Sequence, residues 1–313
     1  MNIEKLFGRF LRHMNQRLMA FPDSSPGTIL PDADPDKQYL LYLHVPYCIS
    51  LCPFCSFHRV KFERGSASSY FECLRQEIRQ HEDRGYRFDE LYIGGGTPTV
   101  LPEELYQTIS EVCARQPISG VSVETNPDHL KSNSVQYLAD AGVTRLSVGV
   151  QSFDDKLLKA MGRFDAYGSG VEIVKRLGRI HGVFDTVNVD MIFNLPGQTE
   201  SLLIRDLDIL VDEVAADQVS FYPLMSSDST RVRMSRTMGD VESTNEHRFY
   251  QTIVERMLQA GYTRSSAWCF SRKTGLYDEY IAERDEYVGL GSGAFSYLQG
   301  GLYASTFAIG HYM

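Results

Sequence analysis

Six short apolar runs, each followed by a stretch of helical period, constrain this chain more than any other feature of its sequence. The runs are Tyr39–Val45, Leu91–Ile93, Val121–Glu124, Arg145–Val150, Thr186–Phe193 and Gln218–Tyr222. Helical patterns follow near 66–82, 102–114, 131–141, 154–161, 168–181 and 200–214. Such alternation predicts parallel strands joined by right-handed crossovers, as an open barrel or a doubly wound sheet. Pro102 stands where a first helical turn tolerates proline. Ser243 and Glu246 form an S-x-x-E capping box ahead of a further helix, and Gly261 follows its end. Residues 22–38, rich in Pro, Asp and Ser, read as a linker. The first twenty-one residues, MNIEKLFGRFLRHMNQRLMAF, read as an amphipathic helix that packs or touches a membrane surface. They lack the unbroken apolar core of a secretory signal.

In parallel α/β folds, sites form at the carboxyl ends of the strands. Every run here delivers polar chemistry there. The first ends in Cys48, Cys52 and Cys55, and the second in Gly94-Gly95-Gly96-Thr97-Pro98. The third ends in Glu124 with Asn126 after it, and the fourth leads into Gln151. The fifth holds Asp190 and is followed by Asn194-Leu195-Pro196-Gly197; the sixth leads into Tyr222, Leu224 and Met225. Six in register predict one shared site.

The formal net charge of −9 argues against non-specific binding to a phosphate backbone. No apolar run approaches the roughly 20 residues of a membrane helix. A chain without a secretion signal is expected in the cytoplasm, where its six cysteines stay reduced and clustering points to metal. Cys73, Cys113 and Cys269 are scattered and read as structural. The C-x3-C-x2-C loop suits an iron–sulfur cluster or zinc, the latter with His44 or His58 as fourth ligand. Three thiolates on a [4Fe–4S] cube leave one iron open to a small chelating ligand. The glycine run lacks the GK[ST] of a phosphate loop.

The segments YLHVPYCISLCPFCSF, YIGGGTPTVL, VETNPDHL, RLSVGVQSFDDKLLKAMGR, VNVDMIFNLPGQT, QVSFYPLM and EYVGLGSGAFSYL occur in that order over about residues 39–303. They resemble radical S-adenosylmethionine (SAM) enzymes, in the group around oxygen-independent coproporphyrinogen III oxidase. The resemblance implies a partial (β/α)6 radical SAM barrel over 39–225. An N-terminal helical extension and linker would occupy 1–38, and a C-terminal segment over the barrel mouth 226–313. It implies a [4Fe–4S] cluster on Cys48, Cys52 and Cys55 and SAM beside it. Tyr42 would lie near the nucleotide, and Gly94, Gly95, Gly96 and Thr97 would bring backbone to the methionine moiety. Glu124 would neutralise the methionine ammonium and Arg163 would pair with its carboxylate. Gln151 and Asp190 would bond the ribose hydroxyls, with Leu224 and Met225 against the adenine.

The implied reaction is reductive cleavage of SAM to methionine and a 5′-deoxyadenosyl radical, fed by a flavodoxin- or ferredoxin-type donor. That makes the chain a radical SAM oxidoreductase of porphyrin biosynthesis, acting on a tetrapyrrole or another organic substrate. Oxidative decarboxylation of coproporphyrinogen III is the first reading. Haem delivery on the same scaffold, methyl transfer or cyclopropanation with a second SAM, and anaerobic haem degradation are the alternatives. Phe57 stands where the oxidase has a fourth cysteine. The H-N-x-x-Y-W run of haem chaperones is replaced by Tyr277-Asp278-Glu279-Tyr280 and Asp285-Glu286-Tyr287. Relatives continue past LYASTFAIGHYM into a helical, winged-helix-like region, so the chain reads as a short member or a fragment. His44, His58, His129, His181, His247 and Cys269 are candidate axial haem ligands.

Overall fold

The computed structural model describes residues 30–225, 227–273 and 286–313. The expected N-terminal helix lies outside the described residues. Residues Ala33–Met313 form one compact unit.

Its frame is a sheet built on six parallel strands. These are β1 (Tyr39–Val45), β4 (Phe88–Gly95), β5 (Gly120–Thr125), β6 (Arg145–Gln151), β7 (Thr186–Phe193) and β8 (Gln218–Pro223), adjacent in that order. Short strands β2 (Tyr47–Cys48) and β3 (Val60–Lys61) pair separately. The core strands alternate, with Leu40 and Ile192 as apolar exceptions on the inner face. Leu41, Leu43, Val123, Leu146, Val148, Val189 and Val219 are fully buried on the face that the crossover helices cover. The residues between them carry tyrosine, carboxylate, amide and hydroxyl groups on the other face. Tyr42 on β1 and Tyr222 on β8 line one cavity although five strand spacings separate them. A flat sheet would hold them about 24 Å apart at 4.7–4.9 Å per strand. The sheet therefore curls into a partial barrel with its polar face inward, as expected.

Local signals explain the helix positions. Helix Pro102–Arg115 has its proline at the first turn. Ser169 and Glu172 make a capping box for helix Gly170–Arg179, and Thr199 caps helix Glu200–Asp208, which continues as a π-turn over Ile209–Val214. Ser243, expected as the cap, stands at the first helical position instead. Helix Ser243–Gln259 starts one residue earlier in phase, with Glu242 as its N-cap and no side-chain cap bond, so Ser243 is already helical. Gly261 does close that helix, at φ 82°.

The segment after 225 does two things. Helix Asp228–Thr237 returns to the cysteine loop at the barrel mouth, as expected of this segment. The rest extends the sheet at both edges, which local pattern did not announce. Strands β9 (Thr263–Arg264) and β10 (Cys269–Ser271) add antiparallel beyond β8. At the other edge β11 (Tyr287–Leu290) joins β1 in parallel, followed by β12 (Phe295–Leu298) and β13 (Gly301–Ala304). Among the described residues no helix is long and apolar enough to cross a membrane.

One buried carboxyl ties the mouth to the frame. Asp206, 2% exposed, accepts from Ser152 Oγ at 2.8 Å and from Phe153 N at 2.9 Å. Burial pushes its carboxyl up to about 7 against those two bonds. The folded protein thus holds this proton more tightly than the unfolded chain, so Asp206 contributes less stability as pH rises from about 4 to about 7. Asp206→Asn removes the titration. Its unfolding free energy relative to wild type should rise by on the order of 2–4 kcal/mol across that window, read by urea titration at each pH. A pH-independent difference would contradict the assignment.

Candidate functional site

The cysteine loop is closed at its base. Tyr47 and Cys48 pair with Val60 and Lys61, and Phe62 N donates to Cys48 O at 2.9 Å. Arg59 Nη2 reaches into the loop and donates to Cys52 O at 2.6 Å and Cys55 O at 2.7 Å. From the helix Asp228–Thr237, Arg233 adds longer bonds to Cys52 O and Pro53 O, at 3.4 and 3.3 Å. Cys48 and Cys52 are buried and Cys55 is half-buried at the cavity wall. Burial pushes the Cys48 and Cys52 thiols up, while the guanidinium groups of Arg163 and Arg59 pull them back down. Three thiols in one loop, facing two cations, are a donor set for an iron–sulfur cluster.

Of the two histidines that could complete a zinc site, His44 has both ring nitrogens engaged within the protein. His44 Nε2 stands 3.0 Å from His58 O, a pure acceptor, so that nitrogen carries the proton. His44 Nδ1 then accepts from Tyr42 Oη at 2.9 Å. Burial lowers the imidazole to about 4, which keeps it neutral. His58 Nε2 lies 3.1 Å from Ser292 Oγ. Ser292 spends its own proton on Thr306 O, so His58 is the donor. Among the described residues no three His, Cys, Asp or Glu side chains gather closely enough for a single metal ion. The remaining candidate haem ligands are dispersed. His181 and His247 are exposed, His129 Nδ1 is bound to Thr99, and Cys269 is fully buried in β10.

Beside the loop the carboxyl ends of the strands enclose a cavity of about 350 Å³. Nine of the eleven residues expected at the nucleotide line it: Tyr42, Gly95, Gly96, Glu124, Gln151, Arg163, Asp190, Leu224 and Met225. Gly94 and Thr97 do not. A Cβ on Gly94 would lie 2.6 Å from Glu124 Oε1, so this glycine makes room for the carboxylate rather than for a ligand. Thr97 is 2% exposed and turns its hydroxyl to Cys48 Sγ at 3.5 Å. Gly96 packs on the loop base; a Cβ there would meet Pro46 C and Tyr47 O at 2.7 Å.

The carboxylates are held in place. Glu124 accepts from Tyr92 Oη at 2.7 Å and Gly95 N at 3.0 Å. Asp190 accepts from Ser147 Oγ at 2.7 Å and Asn188 Nδ2 at 2.9 Å, and Ser220 Oγ donates to Asn188 Oδ1 at 3.2 Å. Gln151 enters the cavity from a β-bulge: the register slips between Gly149 and Gln151, and Gln151 sits at φ 76°. A left-handed glutamine is strained, and such strain concentrates at sites. The Ser152–Phe153 turn that Asp206 grips follows directly and holds this conformation. Arg163 lies between the rings of Tyr167, at 4.9 Å, and Phe54, at 5.8 Å. Its Nε is buried with no hydrogen-bond partner. An unpartnered guanidinium N–H on a residue that lines the cavity fits an anionic group such as a carboxylate. Sequence reasoning missed Arg59, Phe54 and Tyr92. Of these only Tyr92 carried a signal, two positions before Gly94 on the same strand face.

The Radical SAM superfamily profile matches residues 42–210. The chain is 30% identical over 286 residues to the heme chaperone HemW of Lactococcus lactis subsp. lactis (strain IL1403), covering 88% of this chain and 74% of that one. It is 28% identical to the anaerobilin synthase of Escherichia coli O157:H7, covering 86% of this chain and 62% of the relative. In structure it is similar to coproporphyrinogen III oxidase (HemN) from Escherichia coli, with a TM-score of 0.76 at 22% identity, over 88% of this chain and 68% of that one. That likeness establishes the fold.

Arg59→Met keeps most of the apolar stem and removes both short bonds to the loop carbonyls. Local stability of residues 49–58 should fall by about 2–3 kcal/mol, read as faster amide hydrogen exchange there. Unchanged exchange would show that the loop does not depend on Arg59.

Proposed function

The chain belongs to the radical SAM superfamily, in the group of HemW- and HemN-like proteins, and on that premise we propose that it handles a tetrapyrrole at a cluster-and-SAM site, with haem delivery as its task. Its cofactors are a [4Fe–4S] cluster and SAM. When bound, they supply reductive cleavage of the sulfonium to a 5′-deoxyadenosyl radical that can take a hydrogen atom from an organic substrate.

In this reading the chain's own groups bind and orient. Cys48, Cys52 and Cys55 hold three irons of the cube. The open N–H of Arg163 takes the methionine carboxylate, and Glu124, fixed by Tyr92 and Gly95, takes the ammonium. Gln151 and Asp190 meet the ribose, Leu224 and Met225 the adenine, and Tyr42 closes the wall opposite. A donor of the flavodoxin or ferredoxin type would supply the electron. The observation that carries the site is Arg163, a cavity-lining residue beside Phe54 of the cysteine loop whose buried Nε has no hydrogen-bond partner.

Two observations favour haem delivery over coproporphyrinogen decarboxylation. The 30% identical relative is a heme chaperone. Phe57, in place of the oxidase's fourth cysteine, lines the cavity and stands 68% exposed at its rim, an apolar contact for a macrocycle. Radical chemistry on a tetrapyrrole is the second reading. It is favoured by the nine expected SAM-site residues that line the cavity and by the anaerobilin synthase relative.

Haem titrated into the anaerobically reconstituted protein should give a saturable Soret band at one per chain, with no decarboxylation of coproporphyrinogen III. Porphyrinogen-dependent formation of 5′-deoxyadenosine with loss of carboxyl groups would overturn the delivery reading in favour of the oxidase. Arg163→Lys keeps the charge and loses the planar fork. SAM affinity should fall about 10- to 100-fold by equilibrium dialysis, the equivalent of a charged hydrogen bond of 1.5–3 kcal/mol. Unchanged affinity would remove Arg163 from the site.

A further inference from the structure

Two buried groups, Tyr167 and Thr97, are linked through the half-buried Asn126 to one cluster sulfur, and the direction of each bond is fixed. Tyr167 Oη stands 2.8 Å from Asn126 Oδ1, which only accepts, so Tyr167 donates. That orients the amide, and Asn126 Nδ2 donates to Thr97 Oγ1 at 3.0 Å. With its oxygen already accepting, Thr97 has one proton left, and Cys48 Sγ lies 3.5 Å away to receive it. Thr97 is 2% exposed and Tyr167 1%, so water does not compete at either end. The Thr97 backbone is pinned by its N–H to Tyr47 O at 2.8 Å, on the base of the cysteine loop. Bonds in such a chain polarise one another in the direction of the acceptor. The Arg163 guanidinium over the Tyr167 ring adds positive charge at the far end.

We propose that Thr97 is a positioning residue for the cluster, its hydroxyl donating to the Cys48 sulfur and raising the reduction potential, with Asn126 and Tyr167 holding it in that orientation. The inference rests on the cluster reading of Cys48, Cys52 and Cys55. The cysteine Sγ seen here stands in for the iron-bound thiolate. One-electron reduction puts more negative charge on the cluster and its sulfurs. A donated hydrogen bond therefore stabilises the reduced state more than the oxidised one. The same contact separates Thr97 from Gly96 before it, which acts through close approach to the Pro46 and Tyr47 backbone.

The test is a dye-mediated redox titration of the full chain, anaerobically reconstituted and followed by electron paramagnetic resonance. SAM is left out so that the nucleotide site does not contribute. Thr97→Val removes the hydroxyl at constant shape. Its midpoint should move negative by up to about 59 mV, a tenfold change in the one-electron reduction equilibrium. Thr97→Ser should titrate with wild type, and Tyr167→Phe should move in the same direction by less. Equal midpoints for wild type and Thr97→Val would overturn the proposal. If Thr97→Val takes up no cluster, Tyr167→Phe decides, and an unmoved midpoint there overturns it too. A wild-type chain that assembles no [4Fe–4S] cluster would instead overturn the cluster reading itself.

Discussion

Parallel pairing of six adjacent strands sets where every group of the site can stand. Because β1 and β4 to β8 all run the same way, their carboxyl ends share one rim. The sheet's curl then brings the first and last of them, through Tyr42 and Tyr222, onto one cavity. Each strand hands over a single chemical group, and the site is the sum of those deliveries. A slip of one residue in any strand would turn its polar group into the helix layer and its valine or leucine into the cavity.

That arrangement asks a sheet buried on both faces to carry polar side chains on one of them. Parallel strands are usually near-continuous in apolar residues. Here the inner face works because its groups satisfy each other. Ser147, Asn188 and Ser220 surround Asp190, and Tyr92 with the Gly95 amide holds Glu124. A partly satisfied network of this kind would be worse than an apolar core. Arg163, whose buried Nε has no hydrogen-bond partner, lines the same cavity.

Most of this frame was legible because it is local. The bounds of β1 and β7 match their apolar runs residue for residue, and the helices fall within a few residues of their periodic stretches. The cysteine spacing alone named the loop. What escaped depends on partners distant in sequence. Strand β11 is four residues in a glycine-rich stretch, and nothing nearby says that it pairs with β1, more than 240 positions earlier. Arg59 reads as an ordinary surface charge until the loop folds back over it. Gln151 belongs to a residue type that does not advertise a positive φ, and its strain is set by Asp206, fifty-four positions on from Ser152. Thr97 was expected to offer backbone to a ligand. Its hydroxyl found the sulfur only because Gly96, lacking a Cβ, lets the strand end sit against Pro46 and Tyr47.

We propose that Cys48, Cys52 and Cys55 hold a [4Fe–4S] cluster whose fourth iron is open to SAM. The most direct measurement is the electron paramagnetic resonance spectrum of the anaerobically reconstituted, dithionite-reduced chain with and without SAM, beside a Cys48/Cys52/Cys55→Ala triple variant. The expected result is a reduced [4Fe–4S] signal that SAM shifts and that the triple variant lacks. A cluster signal indifferent to SAM, or a colourless chain holding zinc, would contradict it.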